Sequence, residues 1–369
     1  MAIGGRALTA TEATAHNASP GLERAWYAVA LSTEVGDGPV GVRVLDRPWV
    51  LVRLDGEVRA FEDRCAHRLA PLRIGNVVDG TLQCKYHGWR YQADGRCVEV
   101  PSSGPEAAIP ARACLRPPAA VCERYGLVWL APQQPLSGLP DFHEWEDDGF
   151  DTHWNEPRRT PVSAVQLCEN FLDASHLPTV HTGTFGVAEA AYLPPVTVEQ
   201  DRWRAWTTYE VQYRNHDDPL VATGEHPLEQ PQRLYKEVVP ATTALVRLDF
   251  PLTGRTIAIL FSCLPESPTS TRIFKMMARD DLAGSAEHLA AAERFEDRVL
   301  DEDLAVLEAY DTMSVPIDLK VEVHVRADRL SVAYRRQLAA MIEGGAADSP
   351  TSPASAVPFP SRETPAFTT

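Results

Sequence analysis

Between residues 65 and 91 the chain reads CAHRLAPLRIGNVVDGTLQCKYHGWRY, and this stretch limits the fold more than any other. It holds two short pairs, Cys65-x-His67 and Cys84-x-x-His87, separated by sixteen residues. Each pair places one thiolate and one imidazole on a tight turn. Two Cys and two His also suit structural zinc, so the donor count alone does not decide. The spacing says more. In a [2Fe–2S] cluster of mixed ligation, one iron takes two Cys and the other takes two His. Each loop must then hand a Cys to one iron and a His to its neighbour, and these two pairs do so. Imidazoles in place of thiolates remove negative charge and raise the reduction potential. Pro71 stiffens one loop and Gly88 frees the other, while Tyr86 and Trp89 are placed to shield the cluster.

Bulk properties narrow the function classes. The 369 residues suffice for one large domain or two ordinary ones. A content of 44% hydrophobic and 23% charged residues is that of an ordinary globular protein. No apolar run is long enough to span a bilayer, and the N-terminus lacks the basic-then-apolar order of a secretory signal. A cytoplasmic protein with no membrane partner is therefore expected. Seven Cys is an odd number and too few for a disulfide framework. Cys97, Cys114, Cys122, Cys168 and Cys263 sit among apolar neighbours and read as buried free thiols. A net charge of −16 argues against nucleic acid and is compatible with a basic electron-transfer partner. Only four of the 35 basic residues are Lys, and Ala and Pro are abundant, a composition of GC-rich bacterial genomes.

Residues 1–22 are small, polar and aperiodic, and a disordered tail is expected there. From 23 to 135, short alternating runs are broken by turn signals at Asp55-Gly56 and Asp94-Gly95, and VCERYGLVWLAP ends at a proline. This predicts an all-β module carrying metal on its loops. The Pro- and Asp-rich residues 136–158 are expected to form a linker with His143 and His153 on its surface. A second module is expected over 159–343 and a disordered tail over 344–369.

The second module opens with QLCENFLDASHLPTVH. Helix formers run as far as Pro178, so Asp173 and His176 are expected on one helical face, with Pro178 breaking the helix and turning His181 back. Two His and a carboxylate with open positions form the Fe(II) site that binds O2 in non-haem oxygenases. Residues 286–311 read as an amphipathic helix rich in acids. At about 100° per residue its apolar stripe is Leu289, Ala292, Val299, Leu300, Leu307 and Tyr310. Asp303 falls in the middle of that stripe, whereas Asp301 and Glu308 fall opposite. An acid buried in an apolar stripe needs a partner, and iron would be one. Glu296, on the same stripe two turns earlier, is the alternative. Strands and turns alternate over 196–279, and residues 321–343 read as a closing amphipathic helix.

C-x-H-R-x-A-P-L followed by C-x-Y-H-G-W resembles the cluster loops of the oxygenase component of Rieske non-haem iron oxygenases. The string N-x-x-D-x-x-H-x4-H occurs once, as Asn170, Asp173, His176 and His181, and resembles their mononuclear iron motif. Their E-D-x-x-V-x-E string matches Glu302, Asp303, Val306 and Glu308. The resemblance covers residues 22–343 and is nearest to oxygenases of one subunit type, vanillate O-demethylase-like and aminopyrrolnitrin oxygenase-like. It implies an α+β chain: an N-terminal all-β Rieske [2Fe–2S] domain, then a C-terminal helix-grip domain in which a curved antiparallel sheet wraps a long helix. It implies Cys65, His67, Cys84 and His87 as cluster ligands, and Fe(II) on His176, His181 and Asp303. Asp173 would bridge His87 of the partner subunit to His176 in a head-to-tail homotrimer, with Asn170 near the iron. NAD(P)H would feed a separate flavin reductase, with or without a ferredoxin, and O2 would oxidise a small organic substrate. Hydroxylation, demethylation and oxidative ring formation are all within reach of such a site, and the cavity chooses among them. The composition tilts toward specialised-metabolite tailoring, as in antibiotic biosynthesis, with catabolic aromatic O-demethylation as the alternative. A Rieske electron carrier needs no second metal, so residues 166–343 argue against one.

Overall fold

The computed structural model describes residues 13–344, residues 105 and 217 apart. Four two-residue turns with both φ angles positive shape its N-terminal half: Leu45-Asp46, Asp55-Gly56, Asp79-Gly80 and Tyr125-Gly126. Such turns match the right-handed twist of the strands they join, and each closes an antiparallel hairpin. The strands fall into three small sheets of three, four and three strands. Both metal-binding loops rise from an apolar floor that includes Val50, Val52, Phe61, Leu72 and Leu82. The buried Asp63 carboxylate pins the first loop by accepting the Leu72 and Arg73 N–H groups at 2.6 and 2.8 Å.

The C-terminal half is an eight-stranded antiparallel sheet with helices, so the chain is α+β as expected. In spatial order its strands are Asp151–Trp154, Ser270–Arg279, Arg255–Ser267, Thr243–Phe250, Glu229–Val239, Ala205–Arg214 and Val198–Gln200. Arg158–Thr160 also pairs with Ser270–Arg279. The helices are α1 (Ala164–Leu172), α2 (Leu177–Val180), α3 (Pro219–Thr223), α4 (Ala286–Leu307) and α5 (Arg329–Ile342). Leu300, Leu304 and Leu307 of α4 pack with Leu167 of α1 against Phe261, Cys263 and Ile273 of the sheet. A separate core runs from Tyr27 and Trp129 of the first half to Leu260, Phe274 and Met276 of the second. No described helix is long and apolar enough to cross a membrane.

Several expectations need correction. Residues 13–22 are ordered: Thr14–Ala15 pairs with Val315–Pro316, and buried Asn17 accepts the Ala164 N–H at 2.8 Å and donates to Thr271 Oγ1 at 2.9 Å. Small polar residues resemble a tail when their partners lie 147 or more positions away. Residues 1–12 and 345–369 lie outside the described residues. The expected linker 136–158 is not free chain, because its Asp151–Trp154 segment joins the catalytic sheet. His143 meets Arg247 at 3.1 Å and His153 pairs with Glu293 of α4, so both tie that segment down. The closing helix starts at Arg329 rather than 321. On α4, Leu304 is buried and Tyr310 is exposed beyond the helix end, the reverse of the periodicity reading. Among the five other cysteines, Cys97, Cys168 and Cys263 are buried, while Cys114 and Cys122 are half-buried.

Candidate active site

The site is built on the end of α1. Ser163 caps the helix start. At the other end the Asp173 N–H closes on the Glu169 and Asn170 carbonyls, both at 3.1 Å, and the chain leaves in extended conformation. The helix therefore stops at Asp173, not at Pro178. Pro178 instead sits in the first turn of α2, where a missing N–H costs nothing. Asp173 starts that next turn itself: its carboxylate accepts the N–H groups of Ser175 (2.9 Å) and His176 (3.0 Å). The same carboxylate faces His176 Nδ1 at 3.0 Å. Burial pushes the Asp173 carboxyl up, but the hydrogen bonds from His176 and Ser175 outweigh it and hold it well below the usual range.

α2 ends at His181, which is buried and stacked on Phe185 at 4.8 Å. Glu302 of α4 faces its Nδ1 at 2.8 Å and also accepts the Thr184 hydroxyl at 2.8 Å. With both Nδ1 atoms bonded to carboxylates, the Nε2 atoms of His176 and His181 turn inward. They lie 3.4 and 3.3 Å from Asp303 Oδ1, and the three donor atoms lie within 4.8 Å of one another. Asp303 Oδ1 is buried and has no hydrogen-bond partner among the described residues. Donors about 2.1 Å from a metal sit roughly 3.0–3.4 Å apart at neighbouring positions, so the set fits one ion. Histidines oriented from behind by carboxylates are the usual support of such sites. Glu296, the alternative ligand, instead meets the Lys275 ammonium at 3.4 Å.

Glu302 was legible as the first residue of the E-D-x-x-V-x-E string but without a role, because nothing local ties it to His181, 121 positions away. Its removal should show in metal binding. Glu302→Gln is expected to weaken Fe(II) binding by about tenfold, from the 10–100-fold range of such supporting contacts, as read by Fe(II) titration. Unchanged affinity would mean that His181 is held by packing alone.

His176 and Asp303 stand in a wall between two spaces, and His181 lies on its inner side. One is an open polar groove of about 500 Å³, lined in part by Asp173, Glu169, Glu322 and Arg335. The other is an apolar cavity of about 110 Å³ lined by Leu234, Val246, Leu248, Phe250, Ile257 and Ile259. Asn170, His176 and Asp303 border both, while Asp173 borders only the groove.

At the other centre, Cys65 and Cys84 are buried. His67 stacks on Trp89 with ring centres 4.5 Å apart and meets the His87 ring at 4.6 Å. His67 Nδ1 is buried with no hydrogen-bond partner among the described residues, as expected of a nitrogen meant for a metal. His87 is exposed, under Tyr86 at 3.8 Å. The Tyr91 hydroxyl lies 3.0 Å from Cys65 Sγ, a contact no motif announced. A hydrogen bond to a cluster sulfur favours the reduced state. Tyr91→Phe should thus lower the cluster's reduction potential by tens of millivolts in a redox titration, and an unchanged potential would show that the hydroxyl does not reach the cluster.

A mixed-ligand cluster joined to a two-histidine, one-carboxylate site defines an oxidoreductase that takes up electrons at one metal and uses O2 at another. The comparisons agree. Residues 25–116 match the Rieske [2Fe-2S] domain and residues 161–344 match the vanillate O-demethylase oxygenase C-terminal domain. Methylxanthine N1-demethylase NdmA of Pseudomonas putida is 31% identical over 328 residues, 86% of this chain and 88% of that protein. Chlorophyllide a oxygenase of Arabidopsis thaliana is 29% identical over 332 residues, but this chain spans only 57% of its length. The solved structure of Pseudomonas putida NdmA with caffeine superposes with a TM-score of 0.77 at 28% identity, over 88% of this chain and 92% of that one. The chain belongs to the Rieske non-haem iron oxygenases.

Proposed function

We propose that the protein is the terminal oxygenase of a multicomponent system, oxidising an apolar, aromatic or polycyclic small molecule in the cytoplasm. Cys65, His67, Cys84 and His87 would hold the [2Fe–2S] cluster, and His176, His181 and Asp303 the Fe(II). When bound, these groups supply one-electron transfer and O2 activation. The protein's own part is placement. Asp173 and Glu302 orient the two imidazoles from behind. The aliphatic cavity wall excludes water and holds the substrate against the metal's inner side. Asn170 borders both spaces, as His176 and Asp303 do. The observation that carries this reading is the two-sided wall, with His176 and Asp303 bordering both a polar groove and an apolar cavity and His181 bordering the cavity.

Electrons would come from NAD(P)H through a flavin reductase or ferredoxin to the exposed His87 edge, and then to a partner subunit's groove. Charge supports a second copy as the occupant. The cluster loops carry Arg68 and Lys85 exposed, in a chain of net charge −16, and the groove carries Glu169, Asp173, Glu322 and Asp328. Leu69, Tyr86 and Ile74 are exposed beside the cluster, and Val306, Tyr310 and Val323 beside the groove. A head-to-tail homotrimer would cover both patches and bring Asp173 to His87 of the partner subunit. Relatives named for N-demethylation and for chlorophyllide oxidation favour a flat, ring-bearing substrate. The GC-rich composition favours specialised-metabolite tailoring.

Metal analysis of anaerobically purified protein, with EPR after dithionite, tests this. Roughly three irons and two acid-labile sulfides per chain are expected, with a rhombic signal from the reduced cluster. A cluster signal with no second Fe(II) site, even after Fe(II) addition, would reduce the protein to an electron carrier.

A further inference from the structure

Lys236 lies on the strand Glu229–Val239, on the face that lines the cavity, opposite Thr207 and Val246 of the neighbouring strands. It is 3% exposed. Burial pushes its ammonium down to about 8, against the pull of Asp173 and Asp303. A buried charge normally has a partner of opposite sign. Lys236 makes no ion pair among the described residues. Its acceptors are two main-chain carbonyls, Phe171 O at 2.9 Å and Asp173 O at 2.6 Å.

Those carbonyls flank the end of α1. The Asp173 N–H closes on Glu169 and Asn170, so the Phe171 carbonyl is one of the helix-end acceptors left without a donor from the helix itself. The Asp173 carbonyl follows it in extended chain. An ammonium is well placed for both, because it sits at the negative end of the helix. A neutral apolar side chain of the same volume would leave two carbonyls unpaired in a dry site. Lys236 thus fixes the main chain from which the Asp173 carboxylate reaches the Ser175 and His176 N–H groups and His176 Nδ1.

We propose that Lys236 is a positioning residue for the redox machinery: by gripping the Phe171 and Asp173 carbonyls it sets the reach of the Asp173 carboxylate, and through it the aim of the His176 ring. Lys236 ties the sheet that forms the substrate wall to the turn that carries the bridging acid, beside the packing of Ala174 on Tyr209 and Leu234. The role rests on the reading of Asp173 as the bridge and of His176 as a ligand.

Lys236→Met keeps the length and removes the charge and the donors. The test uses cluster-loaded protein, stripped of mononuclear iron by a chelator and titrated with Fe(II), with nitric oxide added as an EPR probe. The variant is expected to bind Fe(II) at least about tenfold more weakly, to give a nitrosyl signal of altered rhombicity, and to keep an unchanged cluster signal. Lys236→Arg, which retains charge and donors, is expected to return the affinity to within about threefold of the parent, with a shifted nitrosyl signal. Parental affinity and signal in Lys236→Met overturn the proposal and leave Lys236 as a wall residue. Should Lys236→Met not accumulate as folded protein, Lys236→Arg decides, and a nitrosyl signal identical to the parent's overturns it. Asp173→Asn separates the two layers. Weakened binding there with normal Lys236→Met removes only the lysine's role, whereas normal binding in Asp173→Asn removes the Asp173 reading and the proposal with it.

Discussion

Asp173→Ala, supplied with saturating Fe(II), should hold both metals and yet lose turnover by about 10²–10³-fold. The carboxylate accepts two main-chain N–H groups and faces His176 Nδ1. It does not reach into the substrate cavity. Its loss therefore leaves the three donor side chains in place. What goes is the support of His176 and, on the proposed assembly, the contact to His87 of the partner subunit. Losing the carboxylate's two bonds to the Ser175 and His176 N–H groups costs about 2 kcal/mol, too little to unfold the domain. Metal content, the cluster EPR signal and the rate of cluster reoxidation by O2 in prereduced protein are the measurements. A variant that keeps most of its activity would show the bridge assignment to be wrong. A slow variant with normal cluster reduction by the reductase would place the defect between the two metals.

The second large effect is on the iron itself. Asp303→Ala should lose mononuclear iron, with Fe(II) affinity down by about a hundredfold or more, while the cluster stays intact. Among the described residues Asp303 is the only carboxylate facing both Nε2 atoms, and its Oδ1 is buried with no hydrogen-bond partner there. Burial pushes its carboxyl up, but the two imidazoles hold it below the usual range, so it is already ionised for a cation. Iron and sulfide counts on the variant check this. Loss of cluster and iron together would indicate misfolding, and retention of iron would move the third ligand elsewhere.

The sequence points to both residues for different reasons, and to a role for Asp173 only through the N-x-x-D-x-x-H-x4-H resemblance. Asp303 stands out because an acid interrupts an apolar helical stripe, a signal carried by a few neighbours. The cluster ligands stand out because two loops must each supply both donor types. The hairpin at Asp55-Gly56 was legible because its turn needs positive φ. What stayed hidden depends on partners far along the chain. Glu302 finds His181 across 121 positions, Lys236 finds Asp173 across 63, and Tyr91 finds Cys65 across 26. Asn17 and the 136–158 segment were misread for the same reason. The break at Asp173 was missed because Pro178 is the louder signal, although proline is welcome in a helix's first turn and Asp is a natural start for one.

The wall that carries the metal donors has a consequence for how such an enzyme changes over time. Its inner surface is made largely by aliphatic residues of strands, such as Leu234, Val246, Leu248, Ile257 and Ile259. Its outer surface is made by α1, the turn after it and the residues around Glu322. On the proposed assembly, substitutions among these aliphatic residues would reshape what is oxidised without altering where electrons arrive. Selection can therefore diversify one side and hold the other fixed, and one inherited wiring can serve many chemistries.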